Sequence, residues 1–293
     1  MTVAIEEARR WFAEDLRIAA GLDTHPVIDA FACVPREIFL GPAPWRVGTR
    51  VSGLGVESFG YRTVGGDPRL LYHDVVVALD EAQEINNGQP SLWAKMFAEI
   101  DPQPGARILH LGCGTGYYSA ILAEIVGPGG TIDAIEIDGT LAGRAREALS
   151  AWTNVSVVCG DGSVMPGKSY DVIVVSAGVT HPLDGWLDGL APGGRLLFPL
   201  TMDSPQSRSG SGAMLLLSRG NEHAFSTRFL GSASFIHFQG GRDLGANARL
   251  VEAFRTRFRQ TIKVRSLRRD EHTHDETCWL HGPTFCLSCR EPC

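Results

Sequence analysis

Leu109-His110-Leu111-Gly112-Cys113-Gly114-Thr115-Gly116 is the stretch on which the reading of this 293-residue chain turns. A short apolar run, Arg107 to Leu111, enters a turn of alternating glycines, and a helical pattern from Tyr118 to Val126 follows. Glycine lets a backbone turn sharply and lie close to a ligand where any Cβ would intrude. Outward from this turn the pattern repeats. Thr131 to Glu136 reads as a second strand, with a helix from Leu141 to Trp152 after it. Val155 to Val158 and Asp171 to Val175 are further strands, and Arg195 to Pro199 is a fifth. Met214 to Ser218 with Ser226 to Ile236 suggests a late antiparallel pair, and Pro90 to Ile100 is a helix upstream. Strands alternating with helices predict a parallel sheet covered on both faces. The expected fold class is therefore α/β, a Rossmann-like, doubly wound, mostly parallel sheet with additions at both ends.

Ligands bind such sheets beyond the C-terminal ends of the strands. The turn supplies Gly112, Gly114 and Gly116 there, and Glu136 ends the next strand, where a carboxylate can accept both ribose hydroxyl protons. Asp161 and Gly162 follow the third strand, placed to meet an adenine edge. The turn lacks the third glycine of a pyrophosphate-binding loop, and no G-K-[ST] follows to make a P-loop. A nucleoside without phosphates, S-adenosyl-L-methionine, fits best, and an oxidoreductase using a dinucleotide is disfavoured.

The flanks are less regular. Residues 3–20 place Ile5, Ala8, Trp11, Phe12, Leu16 and Ala19 on one helical face, and a second helix from His25 to Phe39 is interrupted by Pro35. Between Leu40 and Asp67 glycines, Gly55 among them, punctuate a stretch with little periodicity, which reads as a long loop. After Gly240 the chain turns helical and basic, with Arg249, Arg255, Arg257, Arg259, Lys263, Arg265, Arg268 and Arg269. This reads as a solvated face, or as a positive rim that draws in acidic peptide. Residues 270–293 read as a loosely held tail. The segments are thus 1–80 helical and glycine-rich, 81–240 the cofactor-binding domain, and 241–293 a basic extension with a Cys/His tail.

Of seven cysteines, Cys33, Cys113 and Cys159 read as small buried hydrophobes. Cys278, Cys286, Cys289 and Cys293 crowd the end, near His272, His274 and His281. One C-x-x-C beside histidines has the ligand types of a zinc site, but no second pair stands at matching spacing. The reading is a thiol-bearing tail and no metal. Lys plus Arg number 27 against 33 Asp plus Glu, a net charge of −6 that argues against a nucleic-acid binder. No stretch approaches about 18 uncharged apolar residues, so no membrane span is expected. The N-terminal residues carry acids and no apolar core of a secretory signal, which points to a cytoplasmic protein.

The run Ile108 to Leu122, with Gly160-Asp161-Gly162 and Ala191-Pro192-Gly193-Gly194-Arg195-Leu196, resembles class I methyltransferases. Within them it is similar to the protein-L-isoaspartate (D-aspartate) O-methyltransferase family. Ala30-Phe31, Val34-Pro35-Arg36-Glu37-Ile38-Phe39, Tyr72-His73-Asp74, Gln83 with Ile85, Pro90 and Phe198-Pro199-Leu200 carry the likeness further. The resemblance implies S-adenosyl-L-methionine as donor and an aspartyl or isoaspartyl carboxylate of a peptide or protein as acceptor. The sequence departs from the family in its added stretch at 40–67 and tail after 240, in two extra residues before Pro90, and at three single positions. His110 stands where the family has an acid. Asn86 replaces the serine of the substrate segment, which reads Ala82-Gln83-Glu84-Ile85-Asn86-Asn87-Gly88-Gln89-Pro90, and Ser91 replaces a histidine. The candidate catalytic residues are Asn86, Asn87 and Ser91, whose amide and hydroxyl groups would hold one carboxylate oxygen and aim the other. The alternatives are a dedicated aspartate methyltransferase for one peptide, and a non-catalytic module that keeps the nucleoside pocket. Oligomeric state is not readable.

Overall fold

The structure is a computed structural model that describes residues 3–53, 56–204, 207–220 and 224–292. Gly55 and Cys293, named above, lie outside the described residues, as do Met1 and Thr2. The chain divides into two compact units, whose limits cut across the three sequence segments. The first comprises residues 1–105, 113–132 and 138–157; the second comprises 106–112, 133–137 and 158–293.

The second unit is built on a sheet. Its strands are β5 (Arg107–Leu111), β6 (Thr131–Glu136), β7 (Val155–Cys159), β8 (Tyr170–Val175), β9 (Leu190–Met202), β10 (Ser209–Arg219) and β11 (Phe225–Ile236). The short β12 (Ser266–Arg268), β13 (Cys278–His281) and β14 (Cys286–Ser288) complete it, and β6 and β7 give the unit their C-terminal parts. The order is β13-β14-β12-β11-β10-β9-β8-β5-β6-β7. β5 and β8 pair in parallel with Leu109 opposite Ile173, β8 and β9 pair in parallel, and β9, β10 and β11 run antiparallel. Leu109, Leu111, Ile173, Val175, Leu196 and Phe198 are fully buried, which explains the almost unbroken apolar character of these strands. The α-helices α6 (Asp184–Asp188) and α7 (Leu244–Arg257) and a 3₁₀ helix at Phe258–Lys263 belong to this unit.

The first unit is mainly helical: α1 (Ile5–Ala20), α2 (Pro26–Cys33), α3 (Pro90–Ile100), α4 (Tyr117–Val126) and α5 (Gly139–Ala148), with a 3₁₀ turn at Arg36–Phe39. Edge-on aromatic contacts hold it together: Phe12 with Phe31, and Phe31 with Tyr117 and Tyr118. α5 ends four residues before the predicted Trp152, because Leu149 closes its C-terminus and the Trp152 indole turns away to Glu124 (2.8 Å).

Four expectations are corrected. The stretch 40–67 is not a loop: β1 (Trp45–Gly53) and β2 (Val56–Val64) form an antiparallel hairpin in register from Trp45–Val64 to Gly53–Val56. Trp45 and Val47, two apart and hence on one strand face, are buried with Leu40, Leu71 and Val77. The glycines masked that alternation. The tail is not loose, since β13 and β14 pair with each other and β14 with β12. Trp279 is fully buried against Phe229 (5.0 Å) and Phe254 (5.2 Å). The basic stretch is not simply solvated. Arg257 donates to the carbonyls of Cys278 (2.7 Å) and Trp279 (3.0 Å), while Arg269 pairs with Asp188. Cys33 and Cys159 are exposed and only Cys113 of the three scattered cysteines is buried. Among the described residues no helix is long and apolar enough to cross a membrane.

Candidate active site

In the sheet unit, hydrogen bonds hold three successive strand ends in step. The Gly112 N–H donates to Ile135 O (2.8 Å), and the Gly160 N–H donates to Glu136 O (2.9 Å). Gly112, Glu136 and Asp161 therefore stand side by side at the C-terminal ends of β5, β6 and β7. Gly112 adopts φ +71°, which a side chain takes only with strain. Glu136 is buried, whereas Asp161 is exposed and its Oδ1 accepts the Ser163 N–H (2.8 Å). A Cβ on Gly240 would come within 3.3 Å of both Asp161 carboxylate oxygens, so this carboxylate faces bare backbone. Gly162 is a packing glycine: a Cβ there would stand 3.0 Å from Phe238 and 3.2 Å from Leu111. Its carbonyl also accepts the Trp186 indole N–H (3.0 Å). His110 is fully buried beneath the turn, with Nε2 2.8 Å from Ser176 Oγ. Burial drives its pKa down to about 3, so it is neutral and cannot replace the family's acid as a charge.

In the helical unit the other two turn glycines differ in kind. Gly116 (φ +94°) is required by packing, because a Cβ would meet Leu149 Cδ1 at 2.6 Å. Gly114 (φ +59°) meets only Leu79 Cδ1 at 3.8 Å, leaving room for a ligand. Leu79 belongs to a small hairpin, β3 (Ala78–Asp80) and β4 (Ile85–Asn86), so the substrate segment lies next to the glycine turn.

Asn86 Oδ1 accepts the Gly88 N–H (2.8 Å), and its side chain also hydrogen-bonds Tyr61. Asn87 is buried, and its Oδ1 accepts the Val77 N–H (2.6 Å). Its Nδ2 is buried without a hydrogen-bond partner among the described residues, a donor that wants an acceptor. Gly88 (φ +76°) packs under Trp93, whose Nε1 would be 2.7 Å from a Cβ, and its carbonyl accepts the Tyr118 hydroxyl (3.1 Å). The Ser91 N–H donates to Asp74 Oδ1 (2.8 Å), so the Asp74 side chain holds this residue by its backbone.

Two residues that organise this segment were not assigned a role from the sequence. Asp74 caps α3 through Ser91 and, through its carbonyl, holds the Gln89 amide (2.9 Å). Arg36 is completely buried, and its guanidinium donates to the carbonyls of Leu71, His73 (2.9 Å) and Val75. It also lies 5.5 Å over the Phe12 ring. One planar cation thus fixes the irregular segment that leads into the small hairpin. The sequence signal for it was its place in the V-P-R-E-I-F run that carries part of the family likeness. Tyr72 belongs to the same network, its hydroxyl accepting from Arg9 Nε (3.0 Å) and the Arg36 N–H (3.1 Å) and donating to Glu37. Burial first, and the Glu37 bond second, push its pKa up to about 12.

The family model described as protein-L-isoaspartate(D-aspartate) O-methyltransferase matches residues 67–238. A protein-L-isoaspartate O-methyltransferase of Aeropyrum pernix is 35% identical over 199 residues, 66% of this chain and 67% of that one. The namesake in Ignicoccus hospitalis is 30% identical over 200 residues, 67% of this chain and 83% of that one. Among solved structures, a protein-L-isoaspartate O-methyltransferase superposes with TM-score 0.60 at 25% identity, covering 80% of this chain and 66% of that one. A Plasmodium falciparum structure with S-adenosyl-L-homocysteine bound superposes with TM-score 0.58 at 15% identity, over 79% of this chain and 98% of that one; at that identity the likeness is one of fold.

Proposed function

Since the chain belongs to the protein-L-isoaspartate (D-aspartate) O-methyltransferase family, we infer that it methylates a carboxylate of isoaspartyl or aspartyl residues in peptides and proteins, with S-adenosyl-L-methionine as donor. The observation that carries the reading is the alignment of Gly112, Glu136 and Asp161 on adjoining strand ends by two backbone hydrogen bonds. The residues fit the donor. Gly114 leaves open space where a Cβ would stand, Glu136 is a buried carboxylate at the end of β6, and Asp161 is an exposed acid over bare backbone. Gly112, Gly114 and Gly116 would form the turn beneath the donor, Glu136 would take the ribose hydroxyls, and Asp161 with Gly162 the adenine edge. When bound, the donor supplies an electrophilic methyl group on a sulfonium.

The chain's own task is to hold the acceptor. A carboxylate with a pKa near 4 is already ionised at neutral pH, so no general base is required. Rate then comes from positioning and from excluding water, and a well-held pair can gain about 7–11 kcal/mol that way. Asn87 Nδ2 is the buried donor available to fix one carboxylate oxygen. Asn86 shapes the backbone at Gly88 that presents it, and the Ser91 hydroxyl adds a second polar contact.

Asn86 at the family's serine position, locked onto Gly88 and Tyr61, favours one narrower variant, a dedicated aspartate methyltransferase. One experiment addresses both: base-labile methyl label is counted on an isoaspartyl peptide and its aspartyl twin. Label on the isoaspartyl peptide supports repair, and label confined to the aspartyl twin supports the narrower reading. Label on neither, with S-adenosyl-L-homocysteine still giving about 2.7 kcal/mol of stabilisation at 100 times its Kd, would make the protein a silent pocket. Stabilisation by NAD alone would overturn the methyltransferase reading.

A further inference from the structure

The sequence drew attention to Cys286-x-x-Cys289, but the fold brings together a different set. His272, Cys278, His281 and Cys286 place one ligand atom each within 4.8 Å of all the others. The reason lies in the hairpin. His281 and Cys286 are direct partners across β13 and β14, so their side chains leave the same face. Cys278 is three residues before His281 and in a regular strand would point the opposite way. An irregularity in the ladder between Cys278 and Leu280 inserts the extra residue that turns it to the same face. His272 enters from the segment after β12.

The surroundings are those of a ligand set. His272 Nδ1 is 2.9 Å from the Asp270 carbonyl, which orients the ring with Nε2 toward Cys278 Sγ at 3.6 Å. The Asp275 N–H points at Cys278 Sγ (3.4 Å), and the thiol in turn reaches the Asp275 carboxylate (3.5 Å), so the sulfur is held in place from the loop before β13. His281 Nδ1 is buried with no hydrogen-bond partner among the described residues. Ligand atoms around a tetrahedral zinc stand about 3.3–3.8 Å apart, given bonds of about 2.0–2.3 Å. The cluster needs to contract by about an ångström to reach that.

We propose that His272, Cys278, His281 and Cys286 form a closed structural zinc site that fastens the C-terminal hairpin to the edge of the sheet. Two thiolates and two imidazoles suit zinc and leave no open position for chemistry. Binding forms four metal–ligand bonds and releases the two thiol protons to solvent. The metal would hold β13 and β14 to the segment leaving β12, beneath which Trp279 anchors the hairpin in the core.

The test uses the full chain and needs no activity assay. Metal analysis of protein purified without chelator is expected to give one zinc per chain. Cobalt added after chelation should give the intense visible bands of a tetrahedral site and a sulfur-to-cobalt charge-transfer band. Zinc should shield two further thiols from a thiol reagent in the folded protein, and chelation should lower the unfolding midpoint until zinc, not magnesium, is restored. C278S and C286S should lose the cobalt bands, whereas C289S and H274A keep them. Should the serine variants fail to fold, the cobalt spectrum and thiol shielding of the unaltered protein still decide. A weak octahedral cobalt spectrum, retention of the bands in C286S, or their loss in C289S would overturn the assignment.

Discussion

Replacing Gly116 and Gly114 separately by alanine distinguishes a glycine that packs from a glycine that receives a ligand. At Gly116 the new methyl would lie 2.6 Å from Leu149 Cδ1 and 3.6 Å from Ala145 Cβ, on a backbone with φ +94°. The conformational strain costs about 1–2 kcal/mol and overpacking about 1–3 kcal/mol more. G116A should therefore lose about 2–5 kcal/mol, a large share of a stability of about 5–15 kcal/mol. At Gly114 the methyl meets only Leu79 at 3.8 Å, on φ +59°, so G114A should lose only about 1–2 kcal/mol. Urea unfolding gives both numbers, and titration calorimetry with S-adenosyl-L-homocysteine gives donor affinity for whatever remains folded. G114A should bind donor product far more weakly although it is the better folded of the two. If G114A bound like the unaltered protein, the turn would not be the donor's cradle. If G116A lost less than about 0.5 kcal/mol, the close approach of α4 and α5 would not be what requires glycine there.

Other expectations follow from the same contacts. N87D keeps the acceptor for the Val77 N–H but removes the Nδ2 donor and adds charge; kcat/KM on the preferred peptide should fall about 10²-fold while donor affinity holds. A parallel fall in both would move Asn87 out of the acceptor site. R36M deprives three carbonyls of a shared donor and should cost about 3–5 kcal/mol by denaturant unfolding, and R36K, which lacks the planar fork, should recover only part of it. D74A removes the cap on α3 and should cost about 0.5–2 kcal/mol, whereas S91A, which keeps its N–H, should cost far less. The unfolded chain protonates His110 below about pH 6.5, and the folded one only near pH 3. Acid therefore pulls toward unfolding in that window, by about 1.4 kcal/mol per pH unit for this one proton. H110Q, able to keep a bond to Ser176, should flatten the slope, and an unchanged slope would contradict a neutral buried imidazole.

The sheet was legible because each parallel strand buries both faces and so carries its own apolar signature, as in Val172 to Val175. The hairpin at 45–64 was not, because its order comes from cross-strand pairing, and glycine-interrupted alternation leaves only Trp45 and Val47 as a cue. Trp279 is an ordinary apolar residue in a polar tail until β11 and α7 provide its pocket. The candidate cofactor residues could be singled out because strand ends and turn chemistry are local. The organisers of the substrate segment could not, since Arg36 finds its carbonyls 35–39 residues downstream and Asp74 its amide 17 residues on.

Arg36 carries a practical consequence for anyone trimming the chain. A fragment cut to the family boundary at residue 67 would retain every candidate donor contact and both strands of the small hairpin. It would lose the guanidinium that three carbonyls share, so the acceptor segment would have no fixed origin. Such a truncate should act as a nucleoside receptor with blurred choice of peptide, and a unit that keeps its choice should have to reach back into the helices that precede the family core.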